Sequence, residues 1–329
     1  MLAVAVAGVS VALADSTPVR HGSAETVGVA RTAAVSDAAV PRPPSFAVGL
    51  RVLRLIDTSR TIRLKGGRSE PRTLVTYVRY PALGAPSQTD IPDAAPASGS
   101  GPYPLVVFGH GYAVTPQLYA RLLQSWARAG FVVAAPVFPL SNAHAPGGPD
   151  EADVINQPAD MSFVISSLLA LNRPGMGLLT HLIDPLEIAV AGHSDGAETA
   201  LAVAYGRRFR DPRVSAAVIL SGAEMSGIGG YTFTDGSRPL LAAQGTADTF
   251  NEPKYTNAYF EEAQRPKFLL RLLGAGHLSP YIHQQPQLAI VERVTIAFLD
   301  TYVKHQPGAL QRLGSLGSVR GISALVADP

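Results

Sequence analysis

The chain has 329 residues, of which 47% are hydrophobic and 16% charged, so it can bury a large core and is not broadly disordered. Its formal net charge of +2 and the lack of any basic tract exclude an ordinary nucleic-acid-binding protein. No cysteine occurs and the 8 histidines form no metal-binding pair, so we expect no disulfide, no cysteine nucleophile, no metal and no cofactor.

The first 45 residues differ in composition from the rest. Residues 1–14 form an apolar, uncharged run ending in Ala12-Leu13-Ala14, which fits signal-peptidase cleavage before Asp15, although the usual positive start is missing. That run is too short to span a bilayer. Residues 15–45, rich in Ala and Pro, are predicted to be a disordered linker. These features predict a secreted or exported protein; the alternative is a disordered N-terminus on a cytoplasmic one.

Residues 46–329 are predicted to form a single domain. Two strands rich in branched residues, 48–56 and 73–80, come first and should pair antiparallel, and a loop follows over 81–104. Apolar strands then alternate with helices, and apolar strands without alternation favour a mostly parallel central sheet with helices on both faces, an α/β fold. The predicted strands are 105–108, 131–135, 187–191, 214–220, 240–243 and 267–273. The predicted helices are 116–129, 157–171, 197–205 and, as the final element, 285–303.

The pentapeptide Gly192-His193-Ser194-Asp195-Gly196 stands between a predicted strand and a predicted helix. A serine at such a sharp turn has a strained backbone, and small residues two positions on either side let strand and helix approach closely. The turn raises the hydroxyl to the carboxyl edge of the sheet, next to the N-terminus of a helix. Ser194 is therefore the candidate nucleophile, with Gly192 and Gly196 as the glycines of the elbow.

A serine hydroxyl needs a base, and in folds with this elbow an acid and then a histidine follow the serine along the chain. His277, in a loop directly after the strand 267–273, is preferred to His283 as the base. Asp248, after the strand 240–243, is preferred as the acid that orients the imidazole. The competing acids are Asp235 and Glu252.

An oxyanion site requires two inward-facing N–H groups. One is expected from Asp195, directly after the nucleophile, and the other from Tyr112 in the loop Gly109-His-Gly-Tyr-Ala. The charge of Asp195 would oppose an oxyanion unless its side chain points away. His110 and His193 are expected to brace the two loops and not to act in catalysis.

Two further segments, 139–160 and 222–238, follow strands at the same edge and are predicted to form loops around an acyl pocket. Tyr231 and Phe233 in the second segment are candidates for lining that pocket. A mobile exterior loop explains the two aromatic residues equally well.

Over residues 103–303 the chain resembles the α/β-hydrolase superfamily. Within it the chain is similar to actinobacterial cutinase-like and polyester-hydrolase-like lipases and to the dienelactone hydrolase and platelet-activating-factor acetylhydrolase groups. The resemblance lies in the segment Gly109-His-Gly-Tyr-Ala, the elbow at Ser194, the acid loop 245–248 and the histidine loop 274–280. Those lipases usually carry methionine where Asp195 stands, and some close a C-terminal disulfide that this chain cannot form. The resemblance implies the α/β-hydrolase fold and ester hydrolysis.

The sequence thus predicts a serine hydrolase, esterase- or lipase-like, that acts on a small-molecule or lipid-like ester through an acyl-enzyme. Neither a nucleic-acid partner nor a stable membrane span is expected. A peptidase or lactonase on the same fold is the first alternative. The second is a non-catalytic binding protein that keeps the elbow for folding reasons.

Overall fold

A computed structural model of the chain describes residues 45–64, 66–234, 236 and 238–329. This part belongs to one compact unit, Pro43–Pro329. The predicted signal peptide and nearly all of the predicted linker lie outside the described residues, so export stays a prediction.

The described residues form a ten-stranded mixed sheet with the strand order β10-β9-β8-β7-β6-β4-β5-β2-β1-β3. The strands are β1 (Ala47–Arg63), β2 (Ser69–Ala82), β3 (Ile91–Pro92), β4 (Tyr103–Gly109), β5 (Val132–Pro136), β6 (Ile183–His193), β7 (Val214–Leu220), β8 (Leu240–Gly245), β9 (Lys267–Leu272) and β10 (Ser323–Asp328). From β5 to β9 every neighbouring pair is parallel, while β2 pairs antiparallel with both β1 and β5, and β10 pairs antiparallel with β9. The predicted α/β class with a mostly parallel sheet is confirmed.

Helices cover both faces of this sheet because its central strands are apolar on both sides. The helices are α1 (Ala120–Arg128), α2 (Gln157–Leu171), α3 (Asp195–Tyr205), α4 (Pro253–Glu262), α5 (Ser279–Ile282), α6 (Gln287–Tyr302) and α7 (Ala309–Leu316). On one face Val107 of β4 packs in a core with α2, α3 and α4. On the other, Val106 and Phe108 pack in a core with α1, α5, α6 and α7. Alternate residues of one strand thus contribute to two cores, as a parallel sheet buried on both faces requires.

Several predicted boundaries differ from the structure. The segment 81–104, predicted as loop, contains β3, a 3-10 turn at Ser98–Ser100 and the start of β4. The helix predicted over 116–129 begins as a 3-10 turn, Pro116–Tyr119, and becomes α-helical only at Ala120. The segment 139–160 is a loop only as far as Asp150, because the 3-10 turn Glu151–Asn156 leads directly into α2. The predicted final helix corresponds to α6, but α7 and β10 follow it.

The buried side chain of Arg72 anchors the 3-10 turn Glu151–Asn156 and the helix α2 to the sheet. Arg72 of β2 donates two hydrogen bonds to Asp153, at 2.9 and 2.7 Å, and two to Asp160, both at 2.6 Å. The three side chains are at most 3% exposed. Both carboxylates therefore depend on one guanidinium for their charge balance, although Arg60 also reaches Asp160 at 2.9 Å.

We expect Arg72→Ala to lower the free energy of unfolding by about 3–5 kcal/mol, because it leaves buried carboxylates without their main partner. Arg68→Ala is the matched control, because Arg68 lies directly before β2 and its ion pair with Glu70 is exposed. Loss of that ion pair should lower the free energy of unfolding by about 1 kcal/mol or less. Urea unfolding monitored by circular dichroism measures both. Equal losses in the two variants would contradict the anchoring role.

In the part of the chain that the structure describes, one helix, Glu151–Leu171, is long and apolar enough to cross a membrane by length and composition alone. It includes Asp153 and Asp160, whose carboxylates bind Arg72. Its residues Met161, Val164 and Leu168 are buried against the sheet. These contacts explain its apolar composition as that of a core helix.

Candidate active site

The turn between β6 and α3 holds Ser194 in a strained conformation. Its φ of 55° and ψ of −126° lie outside the regions that L-residues ordinarily occupy. The turn is possible because a Cβ on Gly192 would overlap the carbonyl group of Gly196, and one on Gly196 would overlap that of Gly109. The two elbow glycines therefore allow β6, α3 and the end of β4 to converge beneath the serine.

Three side chains from separate loops meet at this turn. The Oγ of Ser194 lies 2.9 Å from Nε2 of His277, and Nδ1 of His277 lies 2.8 Å from Oδ2 of Asp248. Asp248 follows β8, and His277 follows β9. Because β6, β8 and β9 run parallel in one sheet, their carboxyl ends place these residues at the same edge. The structure thus brings together the three residues that the sequence singled out, in one chain of hydrogen bonds.

Asp248 is held as a carboxylate facing the imidazole. Its Oδ1 accepts hydrogen bonds from the N–H groups of Phe250, at 2.9 Å, and Asn251, at 3.1 Å, and its Oδ2 also accepts one from Gln244 at 3.1 Å. Burial alone would raise the pKa of Asp248, but its hydrogen bond and attraction to His277 and the Phe250 N–H hold that pKa below its usual value. An ionised Asp248 keeps the proton of His277 on Nδ1, which leaves Nε2 free to accept a proton from Ser194.

His193 links the elbow to the loop of His277. Its Nε2 donates to the backbone oxygen of His277 at 2.8 Å, so its Nδ1 is the acceptor from the Tyr119 hydroxyl at 2.8 Å. Burial lowers the pKa of His193 to about 3, and the ring is therefore neutral at ordinary pH. Sequence reasoning expected a bracing role for this residue, but it did not identify Tyr119 as the partner.

His110 holds the loop after β4 against the loop after β5. Its Nδ1 donates to the Gly111 oxygen at 2.8 Å, and its Nε2 accepts from the Phe138 N–H at 3.0 Å. The side chain is fully buried, which lowers its pKa to about 4 and keeps it neutral. Both ring nitrogens are occupied by backbone groups, so they are not available for proton transfer.

The backbone around the elbow provides candidate donors for an oxyanion. Asp195 is the first residue of α3, so its N–H has no backbone acceptor within the helix and lies where the helix dipole is positive; its own carboxylate also interacts with this N–H. The Gly109–Tyr112 loop packs directly on the elbow: a Cβ on Gly111 would come within 3.2 Å of the Ser194 Cβ. The phenol of Tyr112 is turned outward, 39% exposed, and donates to the Pro149 oxygen at 3.2 Å. Use of the Tyr112 and Asp195 N–H groups as the oxyanion site stays a proposal.

The competing residues lie apart from the hydrogen-bonded chain. His283 is exposed at the end of α5. Glu252 is exposed and pairs with Lys254 at 2.8 Å. Asp235, the other competing acid, lies outside the described residues.

The loops near the site contribute aromatic side chains in two ways. Tyr231 and Phe233 do not stand free: Phe233 packs on Tyr205 of α3, and the Tyr231 hydroxyl accepts from the Met225 N–H at 2.6 Å. Phe250 is 78% exposed, with its ring centroid 5.3 Å from that of His277. Sequence reasoning missed Phe250, although its position two residues after Asp248 was an available signal.

Among the residues that the structure describes, no group of three or more His, Asp or Glu side chains is arranged to hold a metal ion. The polar side-chain atoms of Ser194, His277 and Asp248 all have hydrogen-bond partners. The arrangement has the parts needed for nucleophilic attack with a general base.

The sheet order, the elbow after β6 and the loops after β8 and β9 that carry Asp248 and His277 together define the α/β-hydrolase fold. A solved ferulic acid esterase from Streptomyces cinnamoneus superposes with a TM-score of 0.60 and 22% identity, over 80% of this chain and 92% of that one. At this identity the match is evidence for the fold alone.

Sequence comparisons show similarity to one family over part of the chain. The chlorophyllase family model matches residues 87–224, which is less than half of the chain. Chlorophyllase-1 of Arabidopsis thaliana is 30% identical over 141 residues, which are 41% of this chain and 40% of the relative. The chain thus matches about two fifths of the length of this curated relative. The family match includes β4 and the elbow but ends before Asp248 and His277. Similarity to cutinase-like lipases in particular stays a prediction.

Proposed function

We propose that this protein is a serine hydrolase that cleaves carboxylic esters through an acyl-enzyme. The observation that carries the proposal is the uninterrupted hydrogen-bonded chain from Ser194 through His277 to Asp248. The similarities to chlorophyllase and, in fold, to a ferulic acid esterase support the same reaction class.

In the first half of the proposed reaction, the Ser194 Oγ attacks the ester carbonyl carbon while its proton passes to Nε2 of His277. The tetrahedral intermediate then collapses, and His277 returns that proton to the departing alcohol. In the second half, water attacks the acyl-enzyme and gives its proton to Nε2, after which Ser194 takes the proton back and the carboxylic acid leaves. Asp248 stabilises the imidazolium that forms in both halves.

Charge on the carbonyl oxygen needs donors that are already in place. The N–H groups of Asp195 and Tyr112 are proposed for this task, because one begins α3 beside Ser194 and the other lies in the loop packed on the elbow. Such preorganised donors each contribute about 10²- to 10³-fold to the rate of related enzymes.

A fluorophosphonate probe tests the proposal directly, since it reacts covalently with an activated serine. We expect stoichiometric labelling of the wild-type protein, with Ser194 as the modified residue in peptide mass spectra. Full labelling of Ser194→Ala, or none of the wild type, would overturn the proposal.

A substrate panel separates ester hydrolysis from the alternative reactions. It should contain p-nitrophenyl esters of increasing acyl length, matching p-nitroanilides, lactones and an ester of ferulic acid. We expect turnover of esters with a burst of p-nitrophenol and little turnover of anilides. Preference for anilides would indicate a peptidase, and preference for lactones a lactonase. No burst, together with no labelling, would indicate a binding protein.

A further inference from the structure

The side chain of Asp195 is not explained by the proposed triad. It follows Ser194 directly, it is only 7% exposed, and its Oδ2 is buried without a hydrogen-bond partner among the described residues. A buried carboxylate oxygen without a partner is costly, and such groups in folded proteins usually have a reason. Next to a nucleophile, one such reason is the binding of a cationic group of the substrate, whose charge compensates that of the carboxylate.

Two further acids surround Asp195. Glu198 lies three residues later on α3, so both carboxyls face the same side of the helix. Glu151 comes from the 3-10 turn Glu151–Asn156, which packs on α3 through contacts such as that of Val154 with the side chains around Ala202. The group, which we call the acidic subsite, therefore extends from buried Asp195 through half-buried Glu198 to exposed Glu151.

Burial and the charges of neighbouring acids together raise the pKa values of Asp195 and Glu198. Burial and the charge of Glu151 raise the pKa of Asp195 to about 6. Burial and the charges of Asp195 and Glu151 raise the pKa of Glu198 to about 8, although a hydrogen bond with Asn251 acts in the opposite sense. Among the described residues no Lys or Arg forms an ion pair with any of the three acids. When its acids are ionised, the subsite is a negative region beside the nucleophile that no Lys or Arg of the described residues pairs with.

We propose that Asp195, Glu198 and Glu151 bind a positively charged nitrogen of the substrate, so that this protein prefers esters that carry an ammonium group near the scissile bond. The inference rests on the proposed ester hydrolysis and adds the class of substrate. The positive charge of an ammonium group compensates the charge of the Asp195 carboxylate, whose Oδ2 has no hydrogen-bond partner among the described residues, and offsets the repulsion among the three acids.

The same cation also benefits the reaction step. An ionised Asp195 lies beside its own N–H, which is the proposed oxyanion donor, and its charge opposes the negative charge that develops on the carbonyl oxygen. A bound ammonium cancels that charge. We therefore expect the cation to raise kcat as well as to lower KM.

Preference for the cation should increase with pH. Well above pH 8 both Asp195 and Glu198 are ionised in the free enzyme. At pH 8 Glu198 is about half ionised, and at pH 6 it is protonated and Asp195 is about half protonated. The cation binds the ionised form, so its advantage is lost as pH falls. An effect of pH on the triad applies to charged and neutral esters alike, so the ratio of their rates isolates the subsite. The other groups whose charges or hydroxyls face the two acids are Glu151, His277, Tyr119 and Tyr231.

The test compares pairs of esters that differ only in charge. One pair has the charge in the alcohol: the butyrate ester of choline, and 3,3-dimethylbutyl butyrate, in which a carbon atom replaces the nitrogen. A second pair has it in the acyl group: p-nitrophenyl esters of a trimethylammonio-alkanoic acid and of its carbon isostere. In at least one pair we expect kcat/KM at pH 8 to be about 10-fold or more higher for the cationic ester.

Variants assign this preference to the subsite. Glu198→Gln and the double variant Asp195→Asn/Glu198→Gln should reduce the ratio to about two-fold or less, because the amides keep the shape but not the charge. Glu261→Gln is the matched control: Glu261 is exposed on α4, and its backbone oxygen binds Lys267 at the opposite end of β9 from His277. This control should keep the ratio of the wild type.

A ratio near one in both pairs, with the neutral esters still hydrolysed, would overturn the acidic subsite and leave the proposed function intact. If no ester is hydrolysed and Ser194 is not labelled, the proposed function fails, and calorimetric titration with tetramethylammonium decides the subsite separately. Binding by the wild type that is lost in the double variant would support the site. Absence of binding would overturn it.

Discussion

Replacing Ser194 with alanine is expected to lower kcat/KM for p-nitrophenyl esters by about 10⁴-fold or more, since among the described residues no other hydroxyl forms a hydrogen bond with Nε2 of His277. His277 touches the Ser194 Oγ at 2.9 Å, so His277→Ala should cause a loss of similar size. The double variant should be no worse than either single variant, because the two side chains act as a unit in one proton transfer. Steady-state kinetics at high enzyme concentration measure all three.

Ser215→Ala is the matched control for Ser194→Ala. The Ser215 hydroxyl also makes one hydrogen bond, at 2.9 Å to the Ile188 oxygen, but it lies near the start of β7 and away from the carboxyl edge. We expect its kcat/KM to stay within about two-fold of the wild type, as for a substitution outside the site. If Ser194→Ala retained a tenth of the activity, or the two single losses multiplied in the double variant, the acyl-enzyme mechanism would be wrong.

Much of the fold could be predicted from the sequence because its central strands are continuous apolar runs between helical segments. The bounds of β7 and α2 agree with the prediction residue for residue. Five elements were not predicted, namely β3, α4, α5, α7 and β10. Physical reasons explain three of them. The helix α4 has few buried residues, and α7 contains Gly314. The edge strand β10 is six residues long and is largely exposed, so its formation depends on the neighbouring β9.

Part of the candidate site could likewise be predicted from the sequence, and part could not. Ser194, Asp248 and His277 were predictable because each follows a strand, and parallel strands bring their carboxyl ends to one edge. The hydrogen bond of Tyr119 with His193, and the electrostatic effect of Glu151 on Asp195, join segments far apart in sequence whose loops have no periodic pattern. Local pattern cannot place such loops, so the acidic subsite becomes visible only in three dimensions.

The role of Asp248 can be tested by Asp248→Asn, for which we expect kcat to fall by about 10⁴-fold, as the equivalent change does in serine proteases. The reason lies in the partners of the carboxylate. Oδ1 of Asp248 accepts hydrogen bonds from the backbone N–H groups of Phe250 and Asn251. In Asp248→Asn the amide oxygen must therefore occupy the place of Oδ1. The NH₂ group then faces Nδ1 of His277 and can only donate to it. Nε2 must carry the ring proton, and it cannot accept one from Ser194.

Glu252→Gln is the matched control for this change, since Glu252 is an exposed carboxylate in the same loop, paired only with Lys254. Its kcat should stay within about three-fold of the wild type, because exposed ion pairs contribute little. Urea unfolding of both variants separates a catalytic from a structural loss, and a folded Asp248→Asn protein with near-normal kcat would contradict the assignment. An equal loss in Glu252→Gln would do the same, because it would mean that the charge of the loop, and not the hydrogen bond from His277 to Asp248, determines the rate. One further difference is expected: Asp248→Ala has no NH₂ group to impose the wrong tautomer, so it should be no slower than Asp248→Asn even though it removes more of the side chain.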